Sequence, residues 1–110
     1  MQVLSIINQV GPLPITATFT APLDGPALLV VTSSLWATAA NVLVRMNVVL
    51  DGAVVGTAQV FSNGPATHRV LPTLFLGVPL TFGPHTLQLT IAGPPATADL
   101  NDFFTAALLY

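Results

Sequence analysis

The stretch VLVRMNVVLDGAVVGTAQVF, residues 42–61, decides the fold. Two runs rich in β-branched and apolar residues meet there at Asp51-Gly52. A two-residue type I′ turn needs positive φ at both of its central residues, and Asp-Gly meets that need at low cost. The stretch therefore predicts an antiparallel hairpin, which we expect to be central, with the other runs pairing around it. Gly56, in the return run, predicts a bulge or a close backbone approach.

Other runs also carry the pattern of strands. Residues 15–21 and 85–92 alternate between apolar and polar side chains, which is the period of a half-buried strand. Residues 27–37 begin as a continuous apolar run, which is typical of a strand buried on both faces. Pro72 lies inside the run 67–76 and has no N–H to donate, so this run should be an edge strand or a broken one.

Turn-forming residues separate these runs at intervals of about 8–12 residues, and no run has the period of a helix. The sequence therefore predicts one all-β domain over residues 1–110, an antiparallel β-sandwich of about eight strands. Eight strands in two sheets are the count of a jelly roll, and an immunoglobulin-like topology is the alternative.

Charged side chains make up only 5% of the chain, against about 25% in an ordinary soluble domain. Hydrophobic residues make up 53%, and neither Lys nor Glu occurs. The surface must therefore be covered by uncharged polar groups, or much of it must be buried against other subunits. We expect the second arrangement, in which copies of the chain associate.

Composition also excludes several functions. A net charge of −2 with only two arginines offers no patch for nucleic acid. The absence of Cys excludes disulfides and thiolate chemistry. Residues 1–10 lack a basic segment and a cleavage site, so we expect no secretion signal and favour a virion or cytoplasmic assembly. The uncharged stretches 25–44 and 70–98 contain polar residues and prolines, so we expect no membrane span.

The last ten residues, NDFFTAALLY, resemble the closing strand of the trimeric jelly rolls typified by tumour necrosis factor and the globular head of complement. The resemblance implies a compact homotrimer without catalysis. It also implies that Phe104, Leu108 and Tyr110 lie near the three-fold axis or in the core, and we assign them to the interface. Arg45, beside Asn47 on one face of the hairpin, is a further candidate for a polar interface contact, although a solvent-facing position is the alternative.

A ligand site is expected around Trp36, Asp99, Asn101 and Asp102. Trp36 is the only tryptophan, and it is either a core or interface anchor or a platform for stacking a sugar. The Asp and Asn side chains could contribute oxygens to Ca²⁺, or they could shape a turn through Asx hydrogen bonds. The same residues, together with His68, are the first place to look for a sugar site.

Catalytic and metal sites are not expected. Neither His68 nor His85 has a ligand partner at a suitable spacing, so a metal site would need convergence from distant strands. A Gly-x-Ser-x-Gly motif is absent, and glycosidase chemistry lacks its pair of facing carboxylates. We therefore predict that the protein is not an enzyme and needs no cofactor or metal, and a hydrolase using His68 or His85 is the least favoured hypothesis.

These observations leave two main hypotheses. The first is a structural module, a homotrimeric jelly roll that decorates or caps a larger particle such as a virion or phage. Its partners would be its own copies and a capsid or other scaffold protein. The alternative is a lectin-like carbohydrate-binding module, in which Trp36 or Tyr110 stacks on a sugar and Asp and Asn side chains accept its hydroxyls.

Overall fold

The computed structural model describes residues 1–110, and all of its regular secondary structure is β. No part of the chain forms a helix that could span a membrane. Ten strands are present, eight of them long and two of them only two residues in length. In chain order they are β1 (Val3–Val10), β2 (Ile15–Ala21), β3 (Gly25–Ala37), β4 (Val42–Leu50), β5 (Ala53–Ser62), β6 (Arg69–Val70), β7 (Leu74–Leu80), β8 (Gly83–Ile91), β9 (Ala96–Thr97) and β10 (Phe103–Leu109).

The strands form two antiparallel sheets that pack face to face. The smaller sheet has the order β2-β8-β4-β5. The larger sheet is arranged around β3, which has 13 residues. β10 and then β9 pair along one edge of β3, while β7 and then β6 pair along the other, and β1 completes the sheet outside β10. This arrangement confirms the predicted all-β sandwich.

The long strands pair in a nested order. The two central strands of the sequence, β4 and β5, pair with each other, and β3 pairs with β7, β2 with β8 and β1 with β10. Each pair thus encloses the previous one along the chain, and successive pairs alternate between the sheets. A long folded hairpin wrapped in this way into two sheets is a jelly roll.

The hairpin forms as predicted, but it is not central. Asp51 and Gly52 have φ values of 51° and 84°, as a type I′ turn requires. β5 is nevertheless an edge strand, so the expectation that the other strands pair around the hairpin is wrong. The centre of the larger sheet is β3 instead, because non-local pairing decides which strand has neighbours on both sides.

Gly56 fulfils both expectations for a glycine inside a strand. The register between β4 and β5 shifts beside it, which marks a β-bulge. A Cβ atom at Gly56 would lie 2.7 Å from the side chain of Leu76, so the two sheets approach closely there. Pro72 lies between β6 and β7, which confirms that the run 67–76 is broken.

Part of the predicted interface lies in the hydrophobic core instead. Twenty-two buried apolar residues form a single cluster between the sheets. Phe104 and Leu108 belong to this cluster and are fully buried, so they are core residues and present no surface to a second chain. Tyr110 is partly exposed at the end of the chain, and Arg45 is exposed on the smaller sheet. Both remain candidates for an interface.

The outer face of the larger sheet is uncharged and mostly apolar. None of its four long strands, β1, β3, β7 and β10, contains a charged residue. Phe75 and Val3 on this surface are 67% and 64% exposed. We call this surface the apolar face, and define it by the outward apolar side chains of the four strands: Val3, Val10, Leu28, Val30, Phe75, Phe103, Ala107 and Leu109. The outward residues Ser5, Asn8, Thr32 and Thr105 are polar but uncharged.

The turn chemistry generates a stability prediction. Gly52→Ala should lower the free energy of unfolding by about 1 kcal/mol, because an L side chain is strained at positive φ even where space is free. Gly77→Ala is the matched control, since Gly77 also has open space but no left-handed backbone, and it should be neutral or slightly stabilising. Urea unfolding of both variants checks this. Equal effects of the two substitutions would contradict the assigned turn.

Candidate functional site

The far end of β3 carries the polar residues of a strand that begins as an apolar run. Leu35 and Ala37 are in the core, so alternation along the strand directs Ser34 and Trp36 to the outer face of the larger sheet. This end of β3 is flanked by the two short strands, β6 on one edge and β9 on the other. The segments beside these strands supply the rest of the site.

Two loops from opposite edges of β3 meet over Ser34. His68 directly precedes β6, and the loop between β9 and β10 contains Asp99, Asn101 and Asp102. The ligand atoms of His68, Asp99 and Asp102 all lie within 4.8 Å of one another. The convergence from distant strands that a site at His68 requires is therefore present.

Asp102 is the centre of this cluster and is fully buried. Its Oδ1 accepts hydrogen bonds from Ser34 Oγ at 2.8 Å and from His68 Nδ1 at 2.8 Å. Its Oδ2 accepts the N–H of Asp99 at 2.9 Å. Ser34 Oγ also accepts the N–H of Phe103 at 3.2 Å. A buried carboxylate is tolerated only when its oxygens are bonded in this way.

His68 is held by Asp102 on one side and by Trp36 on another. Because a carboxylate only accepts hydrogen bonds, the bond to Asp102 places a proton on Nδ1. The same bond raises the pKa of His68 above its ordinary value of 6.5. The imidazole packs on the Trp36 indole with 5.9 Å between ring centroids and 43° between planes. Nε2 lies 3.9 Å from Asp99 Oδ2, too far for a hydrogen bond.

Asp99 shapes the loop before β10. Its Oδ1 accepts the N–H of Asn101 at 2.8 Å, and its backbone carbonyl accepts the N–H of Asp102 at 3.1 Å. These bonds confirm the prediction that Asp99 and Asn101 form a turn through an Asx hydrogen bond. Asp99 Oδ2 is left facing His68.

The structure therefore brings the predicted ligand residues together. These residues differ in how far they are exposed to solvent. Trp36 is half-buried, and its Nε1 is buried without a hydrogen-bond partner. Asp99 is partly exposed, Asn101 is exposed and Asp102 is inaccessible. Asp102 consequently acts as an organising carboxylate, while Asp99 and Asn101 can reach a ligand. Whether Trp36 stacks on a sugar stays a prediction.

Sequence reasoning did not assign Ser34 and Phe103 to the ligand site. The signal for Ser34 was its position inside the apolar run of β3, since a buried hydroxyl in such a run needs a partner. Phe103 follows the cluster in sequence and is 41% exposed. It precedes the buried Phe104, so alternation along β10 turns the Phe103 side chain to the outer face. Tyr110 lies at the opposite end of β10 and is not part of the cluster.

The second histidine serves a structural contact. His85 Nδ1 lies 2.6 Å from Asp51 Oδ2, and its Nε2 lies 2.7 Å from the carbonyl oxygen of Thr81. Hydrogen bonding between the two side chains raises the pKa of His85 and lowers that of Asp51. The ring also stacks on Phe19 at 5.6 Å. Both nitrogens are occupied, so His85 ties the turn at residues 51–52 to β8 and is not available to a ligand.

The surface around the cluster is open, and the structure contains no cleft or cavity. Comparison with known proteins finds no matching protein family and no matching curated protein. Similarity is found among solved structures.

Two of the similar structures are carbohydrate-binding modules. One is the module CBM36 in complex with calcium and xylotriose, with a TM-score of 0.51 and 10% identity over 98% of this chain and 98% of that chain. The other is the CBM36-1 domain of a multidomain xylanase from the hindgut metagenome of Trinervitermes trinervoides, with a TM-score of 0.52 and 12% identity over 96% of this chain and 94% of that chain.

A third similar structure is dimeric latent PorU from Porphyromonas gingivalis, with a TM-score of 0.56 and 12% identity. The match covers 96% of this chain but only 11% of that chain. The resemblance of the last strand to the tumour necrosis factor type stays a prediction. What this chain has in common with the three structures is their β-sandwich fold.

Proposed function

We propose that this protein is a non-catalytic carbohydrate-binding module whose glycan site lies at the far end of β3. The observation that carries the proposal is the convergence of an aromatic pair, Trp36 and His68, with the accessible carboxylate of Asp99 on an open surface. The similarity in fold to two carbohydrate-binding modules over nearly their whole length supports it.

The chemistry of the cluster suits a sugar. The C–H faces of a pyranose are apolar and pack on aromatic rings, while its hydroxyls need acceptors with directed lone pairs. Trp36, His68 and the adjacent Phe103 provide the aromatic surface. Asp99 Oδ2 and the Asn101 side chain provide the polar contacts, and a hydroxyl bonded to a carboxylate is held by a strong, charge-assisted bond.

Calcium does not fit this cluster as a partner in sugar binding. Ca²⁺ takes six to eight oxygen ligands, from carboxylates, carbonyls and water. The cluster presents one free carboxylate oxygen, Asp99 Oδ2, beside an imidazole nitrogen, because both Asp102 oxygens are already bonded inside the protein. We therefore propose a direct contact between Asp99 and the glycan.

Polysaccharide binding tests the proposal. Affinity electrophoresis against soluble xylan, mixed-linkage β-glucan and galactomannan, in the presence of EDTA, should show retardation by at least one polymer. Asp99→Ala should weaken binding about 10-fold or more, because it removes a hydrogen bond to a charged group. Trp36→Ala should also weaken it.

Phe82→Ala is the matched control, since Phe82 is an exposed aromatic residue outside the cluster and should not affect binding. No retention by any polymer would overturn the proposal. Retention that Asp99→Ala leaves unchanged would also overturn the assignment of the site. Because Asp99 is partly exposed, its variant remains informative even if Trp36→Ala fails to fold.

Self-assembly is a second candidate function, and the apolar face favours it. This face carries no charged side chain, so two copies can meet there without opposing like charges. Exposed apolar surfaces of this kind mark interaction sites in soluble proteins. We propose a second copy of the chain as the occupant. A trimer is the stoichiometry that the closing-strand resemblance implies, and attachment to a virion, phage or capsid stays a prediction.

The mass in solution tests this second candidate. Light scattering coupled to size-exclusion chromatography should give a multiple of the 11.4 kDa chain mass. Phe75→Asp should shift the mass toward the monomer, because it places a charge at a highly exposed position of the apolar face. Phe82→Asp adds the same charge elsewhere and should leave the mass unchanged. A monomer at every concentration would contradict self-assembly without affecting the glycan proposal.

A further inference from the structure

We propose that His68 Nε2 and Asp99 Oδ2 form a binding site for a divalent transition-metal ion, with Zn²⁺ as the best-fitting ion. Asp102 acts in this site as the positioning residue that orients His68. The site is inferred from the two side chains and their hydrogen bonds. It uses Asp99 Oδ2, the oxygen also proposed to contact the glycan, so Zn²⁺ and a directly bound sugar compete for that atom and the two proposals are tested separately.

The hydrogen bond to Asp102 prepares His68 as a ligand. With the proton on Nδ1, the neutral imidazole has its lone pair on Nε2, which is the atom that faces Asp99. A metal-bound histidine typically donates its other N–H to a carboxylate, which fixes the tautomer and the orientation of the ring. The packing of the ring on Trp36 restricts its rotation further.

Asp99 is prepared in the same way. The N–H of Asn101 holds Oδ1, so the carboxylate presents Oδ2. Asp99 and His68 thus each have one atom engaged inside the protein and the other directed toward the partner. Their side chains are 42% and 36% exposed, so an ion can enter from solvent.

The distance between the two free atoms is compatible with a shared ion. They are 3.9 Å apart. Zn–N and Zn–O bonds of about 2.0–2.2 Å in a tetrahedral site place two ligand atoms about 3.3 Å apart. A small rotation of the accessible Asp99 side chain closes that difference. Water or the donor atoms of a bound molecule would complete the coordination.

The ligand types favour zinc over calcium or magnesium. Imidazole nitrogen suits Zn²⁺, Cu²⁺ and Ni²⁺, whereas Ca²⁺ and Mg²⁺ take oxygen ligands. His85 provides the contrast within the same chain. Its Nδ1 also faces a carboxylate, but its Nε2 is already bonded to the Thr81 carbonyl. Only His68 therefore combines an oriented ring with a free nitrogen.

Calorimetric titration of Zn²⁺ into the untagged protein, with no glycan present, tests the site. One ion should bind per chain, and the site should be saturated at a free Zn²⁺ concentration well below about 1 mM. His68→Gln and Asp99→Asn should each weaken binding about 10-fold or more, whereas His85→Gln should not change it. Asp99→Asn keeps Oδ1 for the Asn101 bond, so the loop should keep its shape.

The role of Asp102 needs a second readout. Asp102→Asn should weaken Zn²⁺ binding about 10–100-fold and should change the ¹⁵N shifts of the His68 ring toward a mixture of tautomers. A merely structural carboxylate would leave the tautomer unchanged.

Three results would overturn the proposal: no saturable Zn²⁺ binding, equal affinity in the His68→Gln or Asp99→Asn variants, or tighter binding of Ca²⁺ than of Zn²⁺. Glycan binding is measured in EDTA, so failure of the metal site and failure of the proposed function are distinguishable.

Discussion

The candidate site depends on one buried carboxylate. Asp102 has no exposed surface, and moving an ionised carboxylate out of water is costly unless its oxygens are bonded. Ser34 on β3, His68 before β6 and the Asp99 backbone supply those bonds. The three segments are therefore held together by a common acceptor. The position of the imidazole, and with it the position of the accessible Asp99 oxygen, follows from this arrangement.

The jelly roll explains why these segments meet. β7 and β10 both run antiparallel to β3 on its two edges. The chain leading into each of them must therefore arrive at the same end of β3, where Ser34 and Trp36 lie. The short strands β6 and β9 continue these two edges and carry their loops along them. The titratable side chains of the cluster thus lie together at one end of the larger sheet, while the rest of the outer face of this sheet is uncharged.

Local patterns predicted much of the fold, and non-local pairing decided the rest. The Asp51-Gly52 turn and the alternation in β2 and β8 depend on neighbouring residues, so the sequence predicts them directly. The central position of β3 could not be predicted, because its partners are distant in the chain. β10 has large apolar residues on both faces, so its pattern did not separate core residues such as Phe104 from surface residues such as Phe103. The sequence analysis grouped Trp36 and His68 with the cluster at residues 99–102. The contacts that join them, the hydrogen bond between His68 and Asp102 and the packing of His68 on Trp36, cross the sheet and leave no signal in sequence spacing.

The account rests on the bond between Asp102 and His68, and an NMR titration of the histidine ring protons measures it directly. In the unmodified protein the pKa of His68 should lie above 6.5, because the carboxylate stabilises the charged imidazole. Asp102→Asn should bring the pKa of His68 down toward 6.5, while the pKa of His85, bonded to Asp51, stays raised and shows that the fold is retained. A pKa of His68 at or below 6.5 in the unmodified protein, or one that Asp102→Asn does not change, would contradict the account.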